Sequence, residues 1–232
     1  MHFRHADEIW RDYPELVAGV VVVDGITADA RVGAAIAEFS AVAQSRLATG
    51  PESELPAIQA WRRAFAKMGL KPTQYRCAAE ALLRRYRKDT SLPQIHPLID
   101  LCNVISLAFA IPVAVLDRAK IAGYVEVRYA TGSESYLPFS GEPEHPEPHE
   151  VIYADDEGRA HARRWTNRQS GYSAVRDGTT DALIVAEAMH AAAPADISRL
   201  VDAVADNLTA AWSASVKTAM PTSAAPNVEF DG

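Results

Sequence analysis

The chain has 232 residues, of which 48% are hydrophobic and 23% charged, as in ordinary soluble globular proteins, and this composition excludes a largely disordered chain. Its formal net charge of −7 argues against a general nucleic-acid binder, because binding to phosphates relies on a basic excess. The length allows one large domain or two small ones with a sizeable core.

The first half of the chain predicts one buried strand followed by several helices. The apolar run Leu16 to Val23 is rich in β-branched residues and ends at the turn signal Asp24-Gly25, which is typical of a buried strand. Leu98 to Ala110 is apolar nearly all round and predicts a helix buried in the core. The other predicted helices run from Asp29 to Leu47, from Leu55 to Met68 and from Ala78 to Tyr86.

After Pro112 the pattern changes to short apolar segments that are typical of strands. The predicted strands are Val113 to Leu116, Tyr124 to Ala130, Val151 to Tyr153, His161 to Arg168 and Leu183 to Ala186. Gly141 to Glu150 contains three prolines and predicts a solvated loop, in which His145 and His149 have no spacing that fixes a metal geometry. A closing helix is predicted from Ala195 to Val216.

This order of elements is not a strict β-α-β alternation, so it predicts an α+β or pseudo-barrel fold rather than a doubly wound sheet. We expect one domain over residues 1–217. Residues 218–232 are rich in Ala, Pro, Ser and Thr and predict a disordered tail.

The two cysteines, Cys77 and Cys102, are too few for a disulfide framework and too far apart for a CxxC motif. The first residues contain no apolar signal core, and no segment approaches the roughly 20 apolar residues of a membrane span. We therefore expect a cytoplasmic protein with reduced thiols and no membrane partner.

Familiar catalytic signatures are missing from the sequence, since it contains no GxSxG, GxxxxGK[ST], GxGxxG or HExxH motif. Several arginines instead lie beside apolar residues on predicted elements, where a guanidinium needs a carboxylate or a phosphate. These are Arg76, Arg128, Arg163, Arg164 and Arg168. They predict either structural ion pairs, with Asp117, Asp155, Asp156 and Glu187 as partners, or contacts to a substrate.

The segment from Arg163 to Arg168 carries five polar side chains around Trp165. As a strand it would place Arg164, Thr166 and Arg168 on one face, and polar groups on both faces argue against a pure core strand. Asp100 and Asn103 share one face of the buried helix, where either a core hydrogen-bond network or a site role would satisfy them.

Basic residues cluster on two of the predicted helices. Arg62, Arg63 and Lys67 lie near Trp61, and Arg84, Arg85, Arg87 and Lys88 end the next helix. The second group has two interpretations, because cations also stabilise the last turn of any helix. Together the two groups predict a local positive patch on which a nucleic-acid backbone would dock.

From Trp61 to Glu187 the chain resembles the B3/B4 domain of the phenylalanyl-tRNA synthetase β subunit, in a free-standing form. The order and spacing of its segments carry the resemblance. They are Trp61 to Phe65, Met68 to Pro72, Tyr75 to Leu82, Leu92-Pro93, Ile99 to Asn103, Pro112 to Asp117, Val127 to Ala130, Gly132-x-Glu134, Asp155-Asp156 and Arg163 to Arg168.

The resemblance implies an α/β pseudo-barrel with helices packed on it and an editing activity that hydrolyses the ester of a mischarged tRNA without a metal or cofactor. Asn103, Asp117 and Arg128 match positions of the family pattern. Ala114 stands where the synthetase pattern has a histidine, and no glutamate stands near Asn167, where that pattern has one.

The sequence therefore predicts an aminoacyl-tRNA deacylase acting in trans, as a monomer that binds the acceptor end of tRNA and not DNA. The predicted catalytic residues are Asn103, Asn167 and His96, the last as a general base that titrates near neutrality or as a structural histidine. Predicted substrate contacts are Arg128, Arg164, Arg168, Thr166, Asp117 and Ala114, and predicted tRNA contacts are Arg62, Arg63, Arg84, Arg85 and Lys88. Two alternatives stay open, namely a non-catalytic module that binds an amino acid, a nucleotide or a tRNA end, and a hydrolase of another small ester or amide.

Overall fold

The computed structural model describes residues 1–230 and arranges their strands in two sheets. The seven-stranded sheet contains β1 (His2–His5), β4 (Tyr124–Tyr129), β5 (Ser135–Tyr136), β6 (Val151–Ala154), β7 (Arg159–Arg163), β8 (Arg168–Gln169) and β11 (Asn227–Glu229). The four-stranded sheet contains β2 (Val17–Asp24), β3 (Val113–Asp117), β9 (Asp181–Ala188) and β10 (Ser215–Ala219).

The larger sheet is mixed and the smaller one is antiparallel. The larger sheet has the order β11-β1-β4-β6-β7-β5, with β8 pairing with β7 and with β1 parallel to β4. The smaller sheet has the order β10-β2-β9-β3, and every pairing in it is antiparallel. The described residues form six helices, namely α1 (Asp7–Asp12), α2 (Gly33–Ala48), α3 (Pro56–Lys67), α4 (Ala78–Asp89), α5 (Pro97–Phe109) and α6 (Ala193–Trp212), with 3-10 turns at Glu52–Glu54 and Arg118–Lys120.

The α+β class is confirmed, but the two sheets do not hydrogen-bond into one closed barrel within residues 1–230. They approach each other where β3 passes β8. There a side chain bridges the gap, since Gln169 Nε2 donates to the carbonyl oxygen of Val115 at 2.6 Å. The opening that this leaves beside β3 becomes the cleft described below.

Packing of α6 against the smaller sheet explains one glycine in the apolar strand β2. A Cβ at Gly19 would overlap the side-chain methyl groups of Val201 and Ile197. Both of those residues are buried on α6. Glycine at this position therefore lets the helix and the sheet approach closely.

Near the C-terminus the sequence predicts a helix that ends at Val216 and a disordered tail from residue 218. Both predictions are wrong for the residues that the structure describes. Helix α6 ends at Trp212, with Ser213 left-handed at φ 51°, and the chain then pairs as β10 with β2. Farther on, β11 pairs with β1 and Phe230 is buried. These pairings supply hydrogen bonds that composition does not reveal, while residues 231–232 of the predicted tail lie outside the described residues. Within residues 1–230, none of the helices has the length and apolarity to cross a bilayer.

Candidate active site between the two sheets

A small cleft with a cavity volume of about 60 Å³ opens where β3 and β9 of the smaller sheet face β6, β7 and β8 of the larger one. Its walls are mostly apolar, and its polar side chains come from one short segment. The lining residues are Ala78, Pro112, Val113, Ala114, Tyr153, Ala162, Trp165, Thr166, Asn167, Arg168, Gln169 and Val185.

That polar segment is a tight turn and not the continuous strand predicted over His161 to Arg168. Strand β7 ends at Arg163 and β8 begins at Arg168. Between them, Arg164 and Trp165 have left-handed backbone conformations, with φ of 48° and 55°. Such a conformation costs a non-glycine residue about 1–2 kcal/mol. The predicted alternation of faces is therefore wrong, and the turn brings residues 166–168 to the cleft together.

Main-chain hydrogen bonds on both sides hold this turn in its strained conformation. The amide of Trp165 donates to the carbonyl of Val151 on β6 at 2.7 Å. The amide of Ala78, the first residue of α4, donates to the carbonyl of Thr166 at 2.8 Å. The larger sheet and α4 thus fix the backbone that carries the polar side chains of the cleft.

Two side chains of the turn also have structural partners. Asn167 Nδ2 donates to the carbonyl of Arg76 at 2.7 Å, which leaves its Oδ1 for a ligand. The Arg164 guanidinium lies 4.9 Å from the ring centre of Tyr75, and its Nε is 3.3 Å from a carboxylate oxygen of Glu150. Arg164 therefore stabilises the turn, and it does not line the cleft.

Behind the cleft, the buried carboxylate of Glu187 on β9 accepts hydrogen bonds from three side chains. Trp165 Nε1 donates to Oε1 at 2.9 Å, His5 Nε2 lies 2.7 Å from the same oxygen, and the Tyr153 hydroxyl donates to Oε2. All four side chains are buried. Since Trp165 and Tyr153 line the cleft, Glu187 fixes the inner wall and ties the larger sheet to the smaller one.

Glu187 is the important residue that sequence reasoning misplaced, because it was expected to pair with an arginine. Its signal was present, since it is the one charged residue inside the apolar segment Leu183–Ala188 of β9. A carboxylate within such a segment needs buried donors. The sequence did not show that these would be His5, Tyr153 and Trp165, which lie far away along the chain.

Two polar groups in the lining of the cleft have no partner within residues 1–230. Thr166 Oγ1 is buried and has no hydrogen-bond partner, an arrangement that costs about 1–3 kcal/mol when it stays unpaired. Arg168 is exposed and forms no ion pair within residues 1–230, and it is the one ionised side chain among those lining the cleft. A ligand with an apolar body and a polar or anionic end would complement both groups.

Two of the predicted catalytic residues lie away from the cleft. Asn103 is on α5 and does not line it. His96 precedes α5 as its N-cap, where Nδ1 accepts a hydrogen bond from the amide of Leu98 at 3.2 Å. Burial lowers the pKa of His96, so the ring is mostly neutral near pH 7 and serves as a cap.

Besides Arg164, two further predicted substrate contacts have partners within the protein. Asp117 accepts hydrogen bonds from the hydroxyl of Thr179 at 2.7 Å and from the amide of Ala119 at 3.0 Å. Arg128 donates to a carboxylate oxygen of Glu134 at 2.5 Å. Of the five arginines, four form ion pairs with glutamates other than the acidic residues expected, and these four are Arg76, Arg128, Arg163 and Arg164. Of the predicted substrate contacts, Ala114, Thr166 and Arg168 line the cleft.

Glu134 makes stability depend on pH in the acid range. Burial raises the pKa of its carboxyl group, but hydrogen bonds from Arg128 and from the amide of Thr131 outweigh this and bring the pKa to about 2. Because the folded pKa lies below the unfolded one, the ionised group stabilises the fold above pH 4.5, and this contribution is lost as the pH falls toward 2.

We expect Glu134→Gln to lower the free energy of unfolding by about 1–2 kcal/mol at pH 7 and to have little effect near pH 2. Urea unfolding at several pH values measures this difference. The control is Glu147→Gln, since Glu147 is exposed and has no ion pair within residues 1–230. A difference between wild type and Glu134→Gln that stays constant with pH would contradict the assignment.

A serine, a histidine and an aspartate form a buried chain of hydrogen bonds elsewhere in the fold. Ser173 Oγ lies 2.9 Å from His161 Nδ1, and His161 Nε2 lies 3.2 Å from Asp155 Oδ2. All three residues are buried, and Asp155 also accepts hydrogen bonds from main-chain amides, including that of Arg159 at 2.9 Å. None of the cavities described here reaches Ser173, so these hydrogen bonds stabilise the fold. In residues 1–230 no group of three or more His, Cys, Asp or Glu side chains is arranged to hold a metal ion.

The predicted basic patch is divided between two places. Arg62 pairs with the buried Glu80 at 2.5 Å, whereas four cations at the end of α4 surround a separate surface depression with two carboxylates. That depression is lined by Glu52, Arg84, Arg85, Arg87, Lys88 and Asp89. Arg84 and Arg87 pair with Glu52, and Arg85 pairs with Asp89, while Lys88 and Arg63 are exposed without an ion pair in the described chain.

The fold and the cleft define the class of protein. A model of the B3/4 domain matches residues 60–207, which is well over half of the chain, so the protein belongs to the B3/4 domain family. A similar solved structure is an N-terminal fragment of the phenylalanyl-tRNA synthetase β-subunit from Pyrococcus horikoshii, with a TM-score of 0.50 and 12% identity. The match covers 92% of this chain and 49% of that one, so this chain spans about half the length of the fragment. No curated protein matches the chain.

Proposed function

We propose that the protein is an aminoacyl-tRNA deacylase that acts in trans and binds the aminoacyl end of a mischarged tRNA in the cleft. The observation that carries the proposal is the pairing of an apolar pocket with one unpaired arginine and one unpaired buried hydroxyl at its polar side. An amino-acid side chain suits the apolar part, and the charged ribose-phosphate end of tRNA suits the arginine. The resemblance of the sequence to the synthetase editing domain supports the same assignment.

The reaction needs little machinery, because an aminoacyl ester is labile and positioning supplies much of the rate. Water attacks the carbonyl carbon, the bond to the ribose oxygen breaks, and that oxygen takes a proton as the free tRNA end leaves. Asn167 Oδ1 is the group that would orient the water, since its Nδ2 is held by the carbonyl of Arg76. Arg168 would stabilise the developing negative charge or hold the terminal phosphate.

The placement of the side chains narrows the proposed set of direct contacts to Thr166, Asn167, Arg168 and Ala114. Arg164 is a positioning residue in this proposal, since it holds the turn from outside. Ala114 leaves room in the wall where the synthetase pattern has a bulkier histidine, so the amino acid accepted here differs from the one that the synthetase domain edits.

The basic end of α4 is the proposed contact for the tRNA backbone. Helix α4 begins at the cleft with Ala78, and its 12 residues extend for about 18 Å to the cations at its far end. We expect Lys88→Glu to weaken tRNA binding about 3- to 10-fold at low salt, with the difference shrinking as salt rises. Lys217→Glu is the control, because Lys217 is exposed on β10 of the smaller sheet. Equal losses in both variants would contradict a local contact.

The proposal is tested by incubating the protein with a panel of mischarged tRNAs and following the ester-linked amino acid. At least one mischarged tRNA should lose its amino acid much faster than in buffer, while correctly charged tRNAs are spared. If every tRNA decays at the rate seen in buffer, the protein is not a deacylase.

A second candidate function is a non-catalytic module that binds an amino acid or a tRNA end. The observation that favours it is the lining of the cleft, which within residues 1–230 contains no Asp, Glu, His, Cys or Lys to act as a general base. In the same panel, tight binding of a charged tRNA with an intact ester would support this candidate.

A further inference from the structure

The main chain of β3 offers the cleft a short free strand edge, and two contacts show which way it faces. The carbonyl of Val115 accepts a hydrogen bond from Gln169, and the amide of Asp117 donates to the carbonyl of Ser173 at 2.9 Å. Neither partner belongs to β9, the strand with which β3 pairs. The main-chain groups of residues 115 and 117 therefore point away from β9.

The same direction follows for Val113. In an antiparallel pair, alternate residues exchange both hydrogen bonds with the partner strand, and the residues between them direct their N–H and C=O to the opposite edge. Ala114 and Leu116 therefore bond to Val185 and Leu183 on β9. Val113 directs its N–H and C=O away from β9, toward the edge from which Gln169 reaches β3, and Val113 is itself a lining residue of the cleft.

Val113 is the residue of this edge at which both the N–H and the C=O are free. Pro112 precedes it and has no N–H, and the carbonyl of Val115 beyond it is already occupied by Gln169. The register leaves the N–H and C=O of Val113 without a partner on β9, and within residues 1–230 no turn or loop group bonds to them. A peptide strand needs several successive residues of free edge, whereas a single amino acid needs only one.

We propose that Val113 recognises the α-amino-acid part of the substrate through its main chain, as one residue pair of an antiparallel sheet. The α-ammonium group donates to the carbonyl of Val113, and the N–H of Val113 donates to the ester carbonyl. The second bond polarises the carbonyl that water attacks. This inference rests on the proposed function. It adds that the main chain of Val113 binds the α-amino-acid part that all aminoacyl esters share, while the apolar wall of the cleft selects the side chain.

The first test compares non-hydrolysable ligands, namely 3′-amino-3′-deoxyadenosine acylated with L-alanine, L-valine or L-phenylalanine, and the matched acyl compounds that lack the α-amine. At least one aminoacyl compound should bind about 10-fold or more tightly than its amine-free counterpart. It should also shift the amide resonance of Val113 in an NMR spectrum. Equal affinities within every pair, or no binding at all, would overturn the proposal.

The second test removes the N–H alone. Val113→Pro deletes the donor, and proline is tolerated where the N–H of an edge strand faces away from its neighbour. Val113→Ala is the matched control, since it keeps the N–H. Deacylation should fall about 10-fold or more in Val113→Pro relative to Val113→Ala, with melting temperatures within a few degrees.

Equal deacylation rates in the two variants would overturn the role of the amide. If Val113→Pro fails to fold, the ligand pairs above still decide the matter. Loss of the ester from mischarged tRNA by the wild-type protein is measured separately. A wild-type protein that deacylates tRNA but shows no preference for the α-amine would keep the proposed function and lose this inference.

Discussion

Arg168→Ala should lower kcat/KM for deacylation of a mischarged tRNA by about 10- to 100-fold. Arg168 is the one ionised side chain lining the cleft, and no carboxylate within residues 1–230 competes for it. Its removal leaves the developing oxyanion or the terminal phosphate without a charged partner. Because the side chain is exposed and unpaired, the free energy of unfolding should change by less than about 0.5 kcal/mol.

The control for this variant is Arg199→Ala. Arg199 is also an exposed arginine, but it lies on α6 and pairs with Asp196 outside the cleft. The rate of Arg199→Ala should equal that of the wild type. A similar loss in both variants would mean that Arg168 contributes only to the net charge of the surface.

The largest effect on stability is expected for Glu187→Leu. The substitution leaves the buried donors of Trp165, His5 and Tyr153 without an acceptor, and a broken buried network of this kind costs about 3–5 kcal/mol. Urea unfolding measures the loss. Trp165 should also lose its fixed orientation, so the activity per folded molecule should fall.

Glu187→Gln separates the hydrogen bonds from the charge. One oxygen still accepts from Trp165 and His5, while the new amide donates to the oxygen of Tyr153. We expect Gln to cost about 1–2 kcal/mol, clearly less than Leu. Equal free energies of unfolding for Glu187→Leu and Glu187→Gln would contradict the assignment of Glu187 as the acceptor for the three donors.

Apolar patterns made most of the regular elements predictable. The run that ends at Val23 is strand β2, and the apolar segment around Cys102 is the buried helix α5. The ends of the chain were not predictable in the same way. Residues 227–229 have no apolar pattern of their own, and they become a strand because β1 supplies a partner for their main chain.

The candidate site could be predicted only in part. Thr166, Asn167 and Arg168 were identified from their polarity, but the strand expected there is a strained turn that depends on Val151 and Ala78. No local pattern reveals such distant partners. For the same reason, Asn103 and Arg128 matched a family pattern while the structure places neither of them in the lining of the cleft.

The net negative charge of the chain excludes only some kinds of nucleic-acid binding. A net charge of −7 argues against binding long stretches of nucleic acid. The same charge is compatible with the proposed binding of one tRNA end, by a single arginine in the cleft and a few cations at the end of α4. If the protein deacylates tRNA as proposed, weak binding of this kind also favours rapid release of the product.

A crystal structure with a non-hydrolysable aminoacyl-adenosine analogue tests the central claim most directly. The analogue should lie between the two sheets, with its side chain against Ala114 and Ala162 and its ribose or phosphate near Arg168. An analogue that binds elsewhere on the protein, or that leaves the cleft empty at saturating concentration, would contradict the assignment of this cleft as the active site.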